Sequence, residues 1–299
     1  MQPYAYGYNL GSNVPMPVSP VQYQGNAFPV TFVPATQVQG QQFGGMQVIY
    51  VQDPLTELEN CTGVIIRQQP EFYEALTGCE TPNRYHVFGE TPQGQKYLFK
   101  CMERSGCFMR FCCPSNLREF NMDISHVANE GIQTLSKKFA NAYKPFKIPC
   151  FCCNRQEIYV NLDDQNKEIG KIKNIFACCD PEFEIFEANG NLKYFIHADC
   201  CQCGLLCANN ICGKFSTAIF NIYAAGTNNK VATISKMSAQ SYAEVMTDAD
   251  SYRVTFPKGS SAYDKLLIIA LGLMIDYQYF ETDASGNDQR RHGYRYRYY

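Results

Sequence analysis

Between about residues 63 and 256 the chain alternates apolar and polar positions in short runs. GVIIRQ, RYHVF, KYLFKC, EFNMDISH, IQTLSKKF, EIYVNLD, EIGKIKN, FEIFE, LKYFIH, STAIFNIY, KVATISK and YRVTF either repeat with a period of two or concentrate β-branched and aromatic residues. A period of two puts successive side chains on opposite faces of a strand, so the pattern predicts roughly twelve strands. The connections are polar: Ala128-Asn129-Glu130-Gly131, Asp163-Asp164-Gln165-Asn166, Asn189-Gly190-Asn191 and Gly226-Thr227-Asn228-Asn229. Asn and Gly there supply the positive φ that tight hairpins need.

Cysteines punctuate this pattern. Cys112-Cys113, Cys150/Cys152/Cys153, Cys178-Cys179 and Cys200/Cys201/Cys203 recur between hairpins, with Cys212 opening a looser unit. In an up-and-down sheet this spacing sends the cysteine clusters to one pole and the polar turns to the other. Such a sheet closes on itself to remove its edges, so the expected fold is mainly β, a closed barrel of about twelve strands; an open sheet or sandwich of the same strands is the alternative.

A different element follows. Leu266, Leu267, Ile268, Ile269, Leu271, Leu273, Met274 and Ile275 make Leu266–Ile275 apolar on every side, which predicts a buried helix over 264–280. Ten helical residues cover ~15 Å and sixteen cover ~24 Å, against a hydrocarbon core of ~30 Å. Asp276 lies inside the longer count. Length therefore favours a helix threaded through the barrel; a membrane-spanning role would need a thinned bilayer or a rearranged barrel.

The flanks differ from this centre. Residues 1–52 are rich in Pro, Gln, Gly and Tyr, and the first charge is Asp53. They are expected to be a disordered arm, in which Pro17-Val18-Ser19-Pro20 fits the PxxP spacing that docks on SH3-like domains. Residues 53–281 form the barrel domain, and 282–299 a flexible Arg/Tyr-rich tail. The net charge of −2 argues against a general nucleic-acid binder, so no nucleic-acid partner is expected. The start MQPYAYGYNLGSNVP shows no secretory signal, and the 16 Cys are read as reduced, cytosolic thiols. No catalytic motif appears, and His197 is read as structural because an extended strand would put Cys200 on the opposite face. The chain is not expected to be an enzyme.

Several separated segments bear a family likeness, in order. The run IIRQQPEFYEALTGCETPNRY (65–85), Thr247-Asp248-Ala249-Asp250 followed by Phe256-Pro257, and Leu273-Met274-Ile275-Asp276 leading to Phe280-Glu281 resemble motifs of the phospholipid scramblase family. The resemblance spans about 55–281. It implies a tubby-like barrel of twelve strands around a central apolar helix. It also implies Ca²⁺-stimulated, ATP-independent movement of membrane phospholipids between leaflets, by a palmitoylated protein on the cytoplasmic face of the plasma membrane, lipid-anchored or single-pass.

Two candidate sites follow. Asp248 and Asp250 are the oxygens on offer for Ca²⁺. Read as a twelve-position loop from Asp248, the segment has Arg253 at position 6 and Gly259 at position 12, so it fails as an EF-hand and predicts weak binding. Cys150, Cys152 and Cys153 sit where the family carries palmitate; two or more acyl chains hold a protein stably on a bilayer. The rival readings are Zn²⁺ on two CxxC pairs, Cys150/Cys153 with Cys200/Cys203, and plain burial as small hydrophobes. Three functions are thus open: a scramblase, an acylated lipid-binding adaptor without intrinsic scrambling, and a zinc-stabilised regulator.

Overall fold

Of the 299 residues, the computed structural model describes 4–9, 46–51, 53–69, 82–105, 118–127, 136–148, 154–163, 167–177, 179–206, 215–238 and 250–280. The chain divides into two compact units, Met1–Glu57 and Leu58–Tyr299.

The first unit holds an antiparallel pair, β1 (Tyr4–Asn9) and β2 (Met46–Val51), with Tyr4 opposite Val51 and Asn9 opposite Met46. Composition alone predicts disorder across 1–52, yet YAYGYN and MQVIYV carry the Tyr, Val and Ile that favour strands. Pro17 and Pro20 lie outside the described residues. A short helix, α1 (Pro54–Glu59), leads on to the barrel strands.

In the second unit each of the twelve patterned segments contributes a strand; of IQTLSKKF (132–139) only 136–139 lie among the described residues, and that strand runs on to Lys144. The strands are β3 (Gly63–Gln68), β4 (Arg84–Thr91), β5 (Gly94–Glu103), β6 (Phe120–Val127), β7 (Ser136–Lys144) and β8 (Glu157–Leu162), then β9 (Lys167–Asn174), β10 (Glu182–Glu187), β11 (Leu192–His197), β12 (Ala218–Ala224), β13 (Lys230–Lys236) and β14 (Ser251–Thr255). Each pairs antiparallel with its sequence neighbours, and β14 pairs with β3, Val254 opposite Val64, to close the barrel. Closure leaves no open edge, and the period of two sends Ile158, Val160, Phe183, Ile185, Ile234 and Val254 inward with no exposure.

After β14 the chain turns at Pro257–Gly259 and enters helix α3 (Ala262–Tyr279), two residues earlier than the apolar run predicts. Its start is a capping box: Asp264 N donates to Ser261 Oγ (3.2 Å) and Ser261 N donates to Asp264 Oδ2 (2.9 Å). Every residue from Asp264 to Tyr277 is buried. The eight large apolar side chains predicted for this rod are at most 1 % exposed. At ~1.5–3 kcal/mol each, their burial contributes about 12–24 kcal/mol as an upper estimate. Gly272 permits the close fit, since a Cβ there would stand 3.0 Å from Ile66 Cδ1 on β3.

The up-and-down order gives the barrel two unlike ends. The starts of even strands and the ends of odd strands from β3 onward gather at one, called here the thiol pole; tight turns occupy the other, where Gly190 and Gly226 take φ of 83° and 70°. α3 enters from the turn pole. There Lys265 Nζ donates to the carbonyls of Leu58 (3.3 Å), Glu59 (2.7 Å) and Cys61 (2.9 Å). Lys193 Nζ lies 2.8 Å from Asp264 Oδ1. Cys61, buried against Gly89 at this end, and Cys101, buried in β5, behave as small hydrophobes.

Candidate functional site

Most apolar exposure on the described barrel lies at the thiol pole. Phe146 (47 %) and Ile148 (62 %) follow β7, Phe176 (50 %) follows β9, and Phe215 (40 %) precedes β12. Leu206 (56 %) ends the short helix α2 (Cys203–Leu206), which follows β11. Met102 and Ile219 are exposed at the same ends of β5 and β12; among the large exposed hydrophobics of the described residues, Leu192 alone sits at the turn pole. Scattered single exposures are ordinary, but a concentration at one end marks a contact surface. The sequence carried a signal for it in the apolar residues beside cysteines, as in KPFKIPC, NIFACC and CGLLC.

Beneath this rim lies a floor of buried polar groups around the end of α3. Arg118, with no exposure, donates through Nε to Tyr277 Oη, and its Nη2 stands 3.5 Å from Glu103 Oε1. Glu103 Oε2 accepts from Asn83 N (3.0 Å) and Nδ2 (3.1 Å). Lys144 Nζ donates to the Arg118 carbonyl (2.6 Å) and to Gln156 Oε1 (3.2 Å). Lys236 Nζ sits 2.5 Å from Asp250 Oδ2 and 4.0 Å from the Phe280 ring centroid. Asp276, 1 % exposed, accepts from Tyr85 Oη (2.6 Å) and Tyr252 Oη (2.5 Å). Burial, reinforced by the Asp250 charge, pushes the Asp276 carboxyl up from 3.8 to about 6, against the pull of both tyrosines and Lys236. Tyr252 rises well above the usual phenol range, chiefly through burial and then through Asp276. Removing one partner of a buried charge pair strands the other at a cost of about 3–5 kcal/mol, so these contacts hold the helix end in place.

A thiol cluster occupies the rim at β10 and β11. The notion that Cys200 points away from His197 assumed a strand running through residue 200; β11 stops at His197, and the chain turns. The turn lets Cys200 N donate to Asp180 Oδ1 (2.9 Å), while His197 Nε2 stands 3.8 Å from Asp180 Oδ2 and His197 Nδ1 stands 3.3 Å from Glu182 Oε1. Burial, then a hydrogen bond to Asp180, raises the Cys200 thiol to about 12. A thiol held protonated is the opposite of an activated nucleophile.

The other predicted positions divide as follows. Asp250 lies at the floor, paired with Lys236. Asp248, Cys150, Cys152 and Cys153 lie outside the described residues, as do Cys112, Cys113 and Cys178. Cys179, Cys201 and Cys203 are exposed at the thiol pole, Cys203 opening α2. No helix among the described residues is long and apolar enough to cross a membrane.

This combination of a meander barrel and a threaded C-terminal helix coincides with a family match. The profile described as Scramblase matches residues 45–282. The chain belongs to the scramblase family. It is 26 % identical over 232 residues to phospholipid scramblase 1 of Mus musculus, covering 77 % of this chain and 64 % of that protein. It is 27 % identical over 233 residues to phospholipid scramblase 1 of Homo sapiens, covering 77 % and 67 %. It is 25 % identical over 265 residues to phospholipid scramblase 2 of Bos taurus, covering 85 % and 82 %. The chain thus spans just under two thirds of the length of the mouse relative. No solved structure matches it. For a scramblase-family barrel, the residues that sequence reasoning missed are Arg118, Lys144 and Lys236: single cations at or beside strand ends, whose partners lie on other elements.

Proposed function

We propose that this scramblase-family chain moves phospholipids between membrane leaflets without ATP, docked on the cytoplasmic face of the plasma membrane by its thiol pole. The observation that carries the reading is the gathering of Phe146, Ile148, Phe176, Leu206 and Phe215 at the pole that also bears the thiols. Apolar rings beside acylated Cys150, Cys152 and Cys153 would seat that end among the headgroups, where each buried methylene of an acyl chain contributes ~0.8 kcal/mol. The disturbed, locally thinned bilayer under the pole lowers the barrier to headgroup passage. Ca²⁺ acts at Asp248 and Asp250, weakening the hold of Asp250 on Lys236 and easing approach to anionic lipid. Pro17–Pro20 recruits SH3-like partners.

The direct test uses purified protein in liposomes containing a dithionite-quenchable lipid. Scrambling exposes inner-leaflet probe, so quenching proceeds past the outer-leaflet half, faster with Ca²⁺. Quenching that stops at half, with the protein shown to be membrane-bound, excludes intrinsic scrambling. Replacing Phe146, Ile148 and Phe176 together by Ser should release the protein from vesicles while its melting temperature stays put. Acyl labelling sensitive to hydroxylamine should disappear in C150S/C152S/C153S.

A second reading, an acylated lipid-binding adaptor with no scrambling of its own, is favoured by one observation: α3 is sealed inside the barrel at both ends. Half-quenched vesicles combined with firm binding would select it.

A further inference from the structure

The loop between β11 and β12 brings sulfur and oxygen together. One ligand atom each from Asp199, Cys200 and Cys201 lies within 4.8 Å of the other two, and the two Sγ atoms are 4.0 Å apart. Two thiolates on one tetrahedral zinc, each about 2.3 Å from the metal, stand ~3.8 Å apart. The thiols already hold nearly that edge.

The loop presenting them is fixed rather than loose. Gln202 clamps it to β12, donating from Nε2 to the Ile219 carbonyl (2.9 Å) and accepting at Oε1 from Ile219 N (2.7 Å). Asp199 Oδ1 accepts from Cys201 N (2.8 Å), which sets the carboxylate beside the sulfurs. Gly204 seats so closely that a Cβ would meet the Thr217 carbonyl oxygen at 2.4 Å. A second layer backs the cluster. Asp180 holds Cys200 N at 2.9 Å, and His197 bridges from Asp180 (3.8 Å) to Glu182 (3.3 Å). Outer groups of this kind orient metal ligands.

We propose that Asp199, Cys200 and Cys201 bind one divalent cation of zinc's class, with Asp180 or water completing the fourth position. Two sulfurs select a borderline-soft ion over calcium or magnesium. With Asp180 as the fourth ligand, the ion ties the β9–β10 connection to the β11–β12 loop. This set differs from the pairing of two CxxC motifs: Cys201, not Cys203, is the partner of Cys200. The site is a staple on the thiol pole and requires no lipid movement.

The test uses the full-length protein, reduced, stripped with chelator, then dialysed against zinc and washed. Elemental analysis should show one equivalent fewer in C200S/C201S than in the unmodified protein, with the D199N variant binding at least tenfold more weakly. C203S and C150S/C153S should retain the equivalent. Cobalt should give a thiolate charge-transfer band that C200S/C201S loses, while circular dichroism shows that variant still folded. The proposal is overturned if the unmodified protein keeps no metal, if C200S/C201S keeps as much as the unmodified protein, or if the equivalent is lost from C203S or C150S/C153S instead.

Discussion

Replacing Asp276 with Asn separates the charge of this residue from its hydrogen bonds. Asn has nearly the same volume, accepts from one tyrosine through its carbonyl and donates to the other through its amide. In the folded protein burial raises the carboxyl from 3.8 to about 6, with Asp250 adding to the rise and Tyr85, Tyr252 and Lys236 opposing it. Between those values the folded state binds more protons than the unfolded one. Stability from this group is therefore present at low pH and is lost as pH rises through about 6. At 1.36 kcal/mol per pKa unit the full loss is about 3 kcal/mol, of which about 1.4 kcal/mol falls between pH 5 and 7.5. D276N escapes that loss. Urea denaturation of D276N and the unmodified protein should show the variant gaining relative stability by about 1.4 kcal/mol from pH 5 to pH 7.5. For a domain of this size that corresponds to roughly 3–6 °C in relative melting temperature. A stability difference, variant minus unmodified, that is the same at both pH values or is lower at pH 7.5 would show that Asp276 does not sit as a costly buried charge. Asp276→Leu serves as the control: it strands two buried hydroxyls and should destabilise at both pH values.

Three further outcomes follow from the packing. Asp250→Ala leaves Lys236, whose side chain is 3 % exposed, without its carboxylate, and should cost about 2–4 kcal/mol in chemical denaturation. Leu271→Ala, at a residue with no exposure, should cost about 2–5 kcal/mol, and Leu271→Asp should leave no cooperative unfolding transition in circular dichroism. Ser261→Ala removes the acceptor of Asp264 N and should cost about 1 kcal/mol in the same denaturation assay.

How far the sequence revealed this molecule depends on how local each signal is. The strands and their turns are local, because the period of two and the Asn-Gly pairs act within a few residues; every barrel strand from β3 to β14 was readable, and so was the helix. The floor was not. Arg118 and Tyr277 are 159 positions apart, and Tyr85 and Asp276 are 191 apart, so nothing near Arg118 in sequence announces a buried partner. Within 1–52 the averaging runs the other way: a Pro- and Gln-rich composition passes over two six-residue runs of β-formers, Tyr4–Asn9 and Met46–Val51. The thiol cluster fell between these cases. The strand rule that separated His197 from Cys200 is sound within a strand, but it assigned to β11 three residues, Ala198 to Cys200, that lie beyond its end.

The two ends of α3 bear on how a barrel of this kind disturbs a membrane. Drawing the helix out means removing about 12–24 kcal/mol of apolar burial, an upper estimate, and breaking three carbonyl bonds to Lys265 at one end and two tyrosine bonds to Asp276 at the other. Burial on that scale equals or exceeds the whole stability of an ordinary domain, about 5–15 kcal/mol, so release of the helix would amount to unfolding. The exposed rings at the thiol pole carry no such cost, since they lie in water before any lipid arrives. Under the proposed function, lipid disturbance would therefore belong to the docked surface with the barrel closed. A cross-link pinning α3 to β9, whose Gly170 lies against Leu267, should leave the proposed scrambling intact; loss of activity on cross-linking, with vesicle binding unchanged, would return the helix to the mechanism.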